Sequence, residues 1–495
     1  MKPPAPVTST DLSVKSIMVP FRSPRDPLRI VYTYHMQDAT CKCPRATATS
    51  ARADAPRLLL VSYEFPPKGG TQSQWVTKLA VGLAERGWEV EALSVADPPT
   101  ALLDEDLLDE VAHRVRVTRT YSLEPTRLVQ AFRRLGGRDR ARAGESAQPL
   151  RDPPHGARSY TSAPPWLVKL AKALFVPDEK VGWVPWAVSA GVNLHAEKPI
   201  DVVVTTGPPH SAHIIGRRLK RRLHIPWVAN LMDPIVDYYA LKPATPLNAS
   251  FTRRYERRLL KHVDRATIAT ETMRRGLLQR NPDAAGRVGV FPNCFDPADF
   301  HNRHVRDSKR FVISYVGAFQ LTITPNVFLE AVAALAARDD RFADDVRVRL
   351  VGPRDAQTDR AIETTRTEDF VDRVGFLSHA AATRAMVEAD VLLLVLGPEP
   401  EASAILTSKL PEYLASGRAV LALAPEGEAA DLVRRAGAGE VAAPNSVEAV
   451  GAALGRLYRQ WQDGALPRPD PRVVAEYGCG PHLSDLDKLI RSLLQ

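Results

Sequence analysis

Short apolar runs of strand length alternate with helical stretches twice along this chain, and that alternation constrains the fold more than any other feature. The first run, RLLLVSYEF at 57–65, breaks at Pro66, Pro67 and the Gly69-Gly70 pair; a helical pattern follows from about Thr71 to Arg86, then a second run at Trp88 to Val95. Parallel strands need a crossover of this kind, so the opening unit dictates a parallel sheet with a helix on its face. DVVVTTG (201–207), PWVANL (226–231), DRATIAT (264–270) and VGVF (288–291) continue the pattern. The polar stretch PNCFDPADFHNRHVRDSK at 292–309 interrupts it, as a domain boundary does. The alternation restarts with RFVISYVGAF (310–319), VRVRLVGP (346–353), DRVGFL (372–377), ADVLLLVLG (389–397) and RAVLALAP (418–425).

Runs this apolar suit strands covered on both faces, so two doubly wound, Rossmann-like α/β domains facing across a cleft are predicted. The expected division is a flexible extension over 1–56, a first domain over 57–295 with a flexible insert at about 133–162, a linker over 296–309, a second domain over 310–480, and a C-terminal helix over 481–495 that reaches back to the first domain. In such sheets ligands bind outside the strand C-termini, where helix N-termini offer unpaired N–H groups to anions.

A net charge of +9 invites a nucleic-acid reading, and its placement argues against one. Residues 1–56 hold eight basic and four acidic side chains and residues 133–158 hold seven and three, so these two segments carry +8 of the +9. No nucleic-acid partner is predicted. Four cysteines, Cys41, Cys43, Cys294 and Cys479, make no disulfide framework and no zinc spacing in a chain of 495 residues, so a reducing compartment and no metal are expected. No run reaches the roughly 18 apolar residues of a membrane span. A cytoplasmic protein is predicted, with membrane contact only from the surface, at the inner face of the plasma membrane.

The glycine pair Gly69-Gly70 lets backbone approach a phosphate or sugar, without the spacing of a dinucleotide fingerprint or P-loop. GPPHSAH (207–213) sets His210 and His213 at a helix start beside a strand end, and Asp233 follows the next strand. A carboxylate there can hold sugar hydroxyls or steady a cationic transition state; helix capping is the plainer alternative. In SKLPEYLASGRAVLAL (408–423), Lys409 and Glu412 lie three apart and so share a helix face. Lys409 offers a cation to a diphosphate and Glu412 an acceptor to ribose hydroxyls.

PPKGG at 66–70, PDEKVGWVPWA at 177–187, TTGPPHSAH, PWVANLMDP, VFPNCFDPADF and SKLPEYLASGRAVLAL, in that order, resemble family 4 glycosyltransferases of the GT-B fold over roughly residues 57–495. The resemblance implies a retaining, metal-independent hexosyltransferase-like enzyme with no cofactor, using a nucleotide diphosphate sugar in polysaccharide, glycolipid or modified-metabolite synthesis. It implies Gly69 and Gly70 at the donor phosphates, Gly317 in the interdomain loop, and Gly375, Phe376 and Leu377 beside the base. It also makes Glu412 the second glutamate of a Glu-x7-Glu motif; Ser408 and Lys409 are expected beside it on the donor, and Asp233, His210 and Lys409 at the reaction. The chain departs from the pattern at Ala404, where the first glutamate is expected, in FQLTITPN, which lacks the usual basic pair, and at Met232, where an arginine is common. Lys409 is the expected substitute for the basic pair.

Two basic helical runs, GRRLKRRLH (216–224) and RRYERRLLKH (253–262), carry Ile215, Leu219, Leu223, Leu259 and Leu260 beside their charges. A basic amphipathic surface suits anionic lipid or a lipid-linked acceptor, and solvated helix faces are the equal alternative. A nucleotide-sugar epimerase and a non-catalytic partner subunit are the competing functional readings.

Overall fold

The computed structural model describes residues 55–96, 103–123, 177–236, 245–300, 309–320 and 322–495. Most of the expected extension, all of the expected insert, most of the linker, Cys41 and Cys43 lie outside the described residues.

Two parallel sheets form, one per lobe. The first has seven strands in the order β3-β2-β1-β4-β5-β6-β7: β1 Arg57–Val61, β2 Glu89–Val95, β3 Val115–Thr120, β4 Val202–Gly207, β5 Trp227–Leu231, β6 Arg265–Ile268 and β7 Val288–Val290. Its helices are α1 Thr71–Glu85, α2 Glu105–Val111, α3 Val184–Glu197, α4 Ser211–Leu223, α5 Pro246–His262 and α6 Glu271–Arg280. The second has six strands in the order β10-β9-β8-β11-β12-β13: β8 Phe311–Val316, β9 Val346–Val351, β10 Val371–Gly375, β11 Val391–Val395, β12 Ala419–Leu423 and β13 Gly439–Ala442. Helices α7 Asn326–Ala336, α8 Asp340–Asp345, α9 Ala356–Thr365, α10 His379–Val387, α11 Lys409–Ala415, α12 Glu428–Arg435 and α13 Val447–Gln462 surround it, followed by α14 Pro471–Ala475 and α15 Cys479–Arg491.

The strands are apolar throughout because both faces are covered. In β1, Leu59 and Val61 pack into one core and Leu58 and Leu60 into the other. The start of β1 is also pinned by a buried cation: Arg57 pairs with the equally buried Glu91 at 3.0 Å and donates to the Leu194 carbonyl at 3.1 Å. Removing one partner of such a pair typically destabilises by about 3–5 kcal/mol, because the other charge is left alone in the core.

The C-terminal helix braces the first lobe, as expected. Leu483 packs against Gly82 of α1, where an added Cβ would lie 2.5 Å from its methyl, and Trp88 donates to Asp487 at 2.6 Å. One expectation is corrected here. Cys294 and Cys479, 185 residues apart, form a disulfide, so the inference from cysteine spacing to unpaired thiols in a reducing compartment does not hold for this pair. The chain leaves the first lobe and returns to it side by side at this point: Phe295 N–H donates to the Tyr477 carbonyl at 3.0 Å and Cys479 N–H to the Phe295 carbonyl at 2.9 Å.

Candidate active site

On the second lobe, β8 ends at Gly317, whose φ of +139° suits glycine and whose missing side chain makes room for a lysine. A Cβ there would lie 2.4 Å from Cε and 2.5 Å from Nζ of Lys409. The Lys409 ammonium donates to the Tyr315 hydroxyl at 2.8 Å and sits 4.4 Å from that ring's centroid. Tyr315 is itself stacked on Phe319 at 3.9 Å. The Tyr413 hydroxyl, one turn along α11, accepts from Val316 N–H at 3.1 Å and donates to the Val316 carbonyl at 3.3 Å, which locks the helix to the strand end. Burial pushes the Lys409 ammonium down to about 8, against the pull of Glu412. Burial raises the Glu412 carboxyl, while His379 acts in the other direction.

Glu412 and Ser408 line a cavity between the lobes together with Thr71, Gln74 and Lys78 of α1. The pair singled out in the sequence is therefore turned inward, Glu412 to this cavity and Lys409 to the Gly317 loop. Lys409 lies beside the end of β8, against Gly317.

On the first lobe, β4 ends at Gly207, and two imidazoles converge on it. A Cβ at Gly207 would lie 2.7 Å from Nε2 of His213 and 3.2 Å from Nδ1 of His210. Neither nitrogen has a hydrogen-bond partner, although both are buried. Nδ1 of His213 is fixed by Thr205 Oγ1 at 2.8 Å, which also accepts from Trp227 Nε1 at 2.8 Å. Burial holds both rings neutral, with His210 lowered to about 4 and His213 well below its ordinary value. Burial also raises the Asp233 carboxyl, beyond the end of β5, to about 6.

A residue that the motif reading left without a role holds this corner. Asp178 accepts from Ser211 N–H at 2.8 Å, Ser211 Oγ at 2.5 Å and Lys180 N–H at 2.9 Å, and so anchors the start of α4. Tyr255 of α5 adds a bond to the His210 carbonyl at 2.6 Å. The signal available was an aspartate inside the quoted PDEKVGWVPWA stretch, but its partner lies 33 residues away.

Contacts at two places set the lobes face to face. At one, Phe376 beyond β10 packs on Gly69, where an added Cβ would lie 2.9 Å from its ring. At the other, Thr270 Oγ1 beyond β6 donates to the Ala404 carbonyl at 2.9 Å, and Asn293 Nδ2 donates to the Leu406 carbonyl at 2.7 Å. The loops carrying His210 and Asp233 leave β4 and β5, which lie between β1 and β6 in the first sheet, and Gly317 follows β8, which lies between β10 and β11 in the second. The strand C-termini therefore face one another, with Gly70, at φ +109°, opening α1 on the same edge. Gly375, at φ +91°, turns the chain into the Phe376 contact, and Leu377 packs into the core. Ala404 ends a short helical turn, Pro400–Ala404, and its carbonyl is taken up by Thr270, so that carbonyl serves the lobe contact. Among the described residues no group of three or more His, Cys, Asp or Glu is gathered as a metal site, and no described helix is long and apolar enough to cross a membrane.

Two parallel-sheet lobes that meet along their strand C-termini, with a lysine and a glutamate turned into the cleft from one side and two histidines and an aspartate carried on the loops of the other, define the GT-B architecture of nucleotide-sugar enzymes. Residues 70–294 match the glycosyl transferase 4-like domain, and residues 310–460 match glycosyl transferases group 1. With one such domain on each lobe, the chain is a glycosyltransferase of the GT-B type. No curated protein matches it in sequence. Sucrose-phosphate synthase from Thermosynechococcus elongatus shares the fold at TM-score 0.60 and 17% identity, over 88% of this chain and 99% of that one. HepE from Anabaena, solved with UDP and glucose, does so at TM-score 0.59 and 14% identity, over 88% and 100%. The UDP-forming trehalose-phosphate synthase from Burkholderia xenovorans, in complex with glucose-6-phosphate, follows at 0.55 and 12%, over 88% and 100%.

The expected membrane face needs correction. Ile215, Leu219, Leu259 and Leu260 are buried in the core of the first lobe and Leu223 packs against it, so they give the basic helices no apolar outer surface. The large apolar side chains that α5 does expose are Leu247 and Phe251.

Proposed function

We propose that this enzyme transfers a hexose-like sugar from a nucleoside diphosphate sugar to an acceptor with retention of anomeric configuration and without a metal or other cofactor, as family 4 enzymes do. The observation that carries the reading is the desolvated ammonium of Lys409 held against Gly317 and Tyr315, with Glu412 of the same helix facing the interlobe cavity. The donor diphosphate lies between Lys409 and the Gly69-Gly70 turn, the base beside Gly375, Phe376 and Leu377, and the ribose hydroxyls on Glu412 near Ser408. As the bond from the anomeric carbon to the diphosphate oxygen breaks, Lys409 offsets the charge left on the diphosphate. The acceptor oxygen bonds to the anomeric carbon on the same face, and its proton passes to the departing diphosphate. Neutral His210 and His213 bind sugar hydroxyls without adding repulsion to a cationic centre, and Asp233 steadies that centre.

UDP bound to Anabaena HepE supports a nucleoside diphosphate as the group recognised here. The test is a panel of nucleotide sugars screened for hydrolysis and transfer, with calorimetry of the diphosphates. Binding without turnover favours the non-catalytic subunit motivated by Ala404, rearranged donor favours an epimerase, and no binding at all overturns the donor site. An enzyme of polysaccharide or glycolipid synthesis fits this chemistry. Its contact with an anionic membrane or a lipid-linked acceptor runs through α5, where Arg253, Arg254, Arg257 and Arg258 are exposed near Leu247 and Phe251. Absence of flotation with anionic liposomes would overturn that contact.

A further inference from the structure

The interlobe cavity holds a second set of charges that the transfer step does not use. Lys78 projects into it from α1 and meets Glu110 at 3.1 Å, Asp296 at 3.2 Å and Asp299 at 3.3 Å. Asp299 in turn meets Nε2 of His379 at 3.0 Å. His379 opens α10 directly after the Gly375–Leu377 loop and is only 7% exposed, and its backbone N–H donates to Asp104 Oδ2 at 3.1 Å. Asp104 belongs to the first lobe and Asp299 to the segment leaving it. One residue of the second lobe is thus bonded, by backbone and by side chain, to carboxylates from across the cleft.

His379 also faces the donor helix, since it and Glu412 line the same cavity. Burial works against a charged imidazole, yet the Asp299 bond and the charges of Glu412 and Asp299 outweigh it and raise the ring above its ordinary value. Burial likewise opposes the Lys78 ammonium, and its three carboxylates outweigh that too. The group is therefore a chain of Glu412, His379, Asp299 and Lys78 in which acidic and basic side chains alternate, and it crosses from one lobe to the other.

We infer that His379 is a positioning residue for the donor: through Asp104 and Asp299 it holds the lobes at the spacing the donor occupies, and it sets its ring beside Glu412 so that this carboxylate stays turned to the ribose. The inference rests on Glu412 being the ribose ligand proposed above. Both bonds break if the lobes separate, so whatever binds the closed cleft is favoured by them, and closing the cleft favours its binding in return.

The test uses the full chain, with UDP as the probe in calorimetry and small-angle scattering for lobe separation. His379→Ala and Asp299→Asn should each weaken UDP roughly tenfold, the scale of a hydrogen bond to a charged group, and enlarge the radius of gyration of the free protein. The double variant should lose no more than the worse single one, because both break the same tie. His379→Gln, which keeps an N–H for Asp299, should recover part of the loss, and melting curves report whether each variant is folded. UDP affinity within about twofold of the parent in folded His379→Ala, or losses that add in the double variant, would overturn the role. If the parent binds no nucleoside diphosphate, the donor reading fails, and scattering still decides the lobe tie: an unchanged radius in folded His379→Ala refutes it.

Discussion

The strand-end lysine of the second lobe is fastened and charged, whereas the strand-end imidazoles of the first lobe are buried and neutral, each with a nitrogen that no partner takes up. Lys409 is held by Tyr315 and boxed in by Gly317, and its helix is locked to β8 by Tyr413. In the first lobe, His210 and His213 hold buried nitrogens with no partner, and burial alone pushes Asp233 toward its neutral form. The same fold thus builds two kinds of surface from strand-end loops. A preorganised cation suits a diphosphate, whose charge is present from the start and grows during reaction. Unpaired neutral groups suit a sugar and an acceptor, which bring their own hydroxyls. The contrast teaches that strand-end loops of one fold can carry a fastened cation on one lobe and buried, unpaired imidazoles on the other.

Lys409→Ala should have the largest effect: turnover falls about a hundredfold or more, as when a preorganised transition-state donor is lost, with melting temperature and circular dichroism unchanged. Near-normal turnover would break the contrast. Gly317→Ala should imitate it, because the new methyl would occupy the place of the lysine side chain. Glu412→Ala should weaken nucleoside diphosphate binding roughly tenfold in calorimetry, while His210→Ala leaves that affinity unchanged and lowers turnover.

The pH profile of kcat/KM should sharpen the contrast, because it reports the free enzyme. Asp233 is a carboxylate only above about 6 and Lys409 is an ammonium only below about 8. Activity should therefore rise through the first value and fall through the second, and Asp233→Asn should remove the acidic limb alone. Cys479→Ser should change activity least: the melting temperature drops, in line with the roughly 2–4 kcal/mol of a typical disulfide, and UDP affinity holds.

Much of the fold was legible because buried parallel strands are apolar on both faces. The strands that escaped notice are β3 and β13, both at sheet edges, where VRVTRT and GEVA carry charge or are short. The first run was read through Phe65, yet β1 ends at Val61. Tyr63 and Phe65 are buried all the same, so their apolar character marked the core without marking the strand. At the site, Lys409, Glu412 and the glycine turns could be found from local pattern and resemblance, and each stands at a strand end or helix start. Asp178, His379, Asp299 and Lys78 could not, since each draws its role from a partner on another element.

Taken alone, then, the order of residues determined two α/β lobes and the residues carried at their strand ends, because periodicity, turn chemistry and crossover connections are local properties. The tertiary structure decided the burial of Lys409, His210 and His213, the pairing of Cys294 with Cys479, and the tie from His379 to Asp104 and Asp299. Those outcomes depend on burial and on the spacing between lobes, which arise only once α15 has packed on α1 and the two sheets have met, and no stretch of chain encodes them by itself.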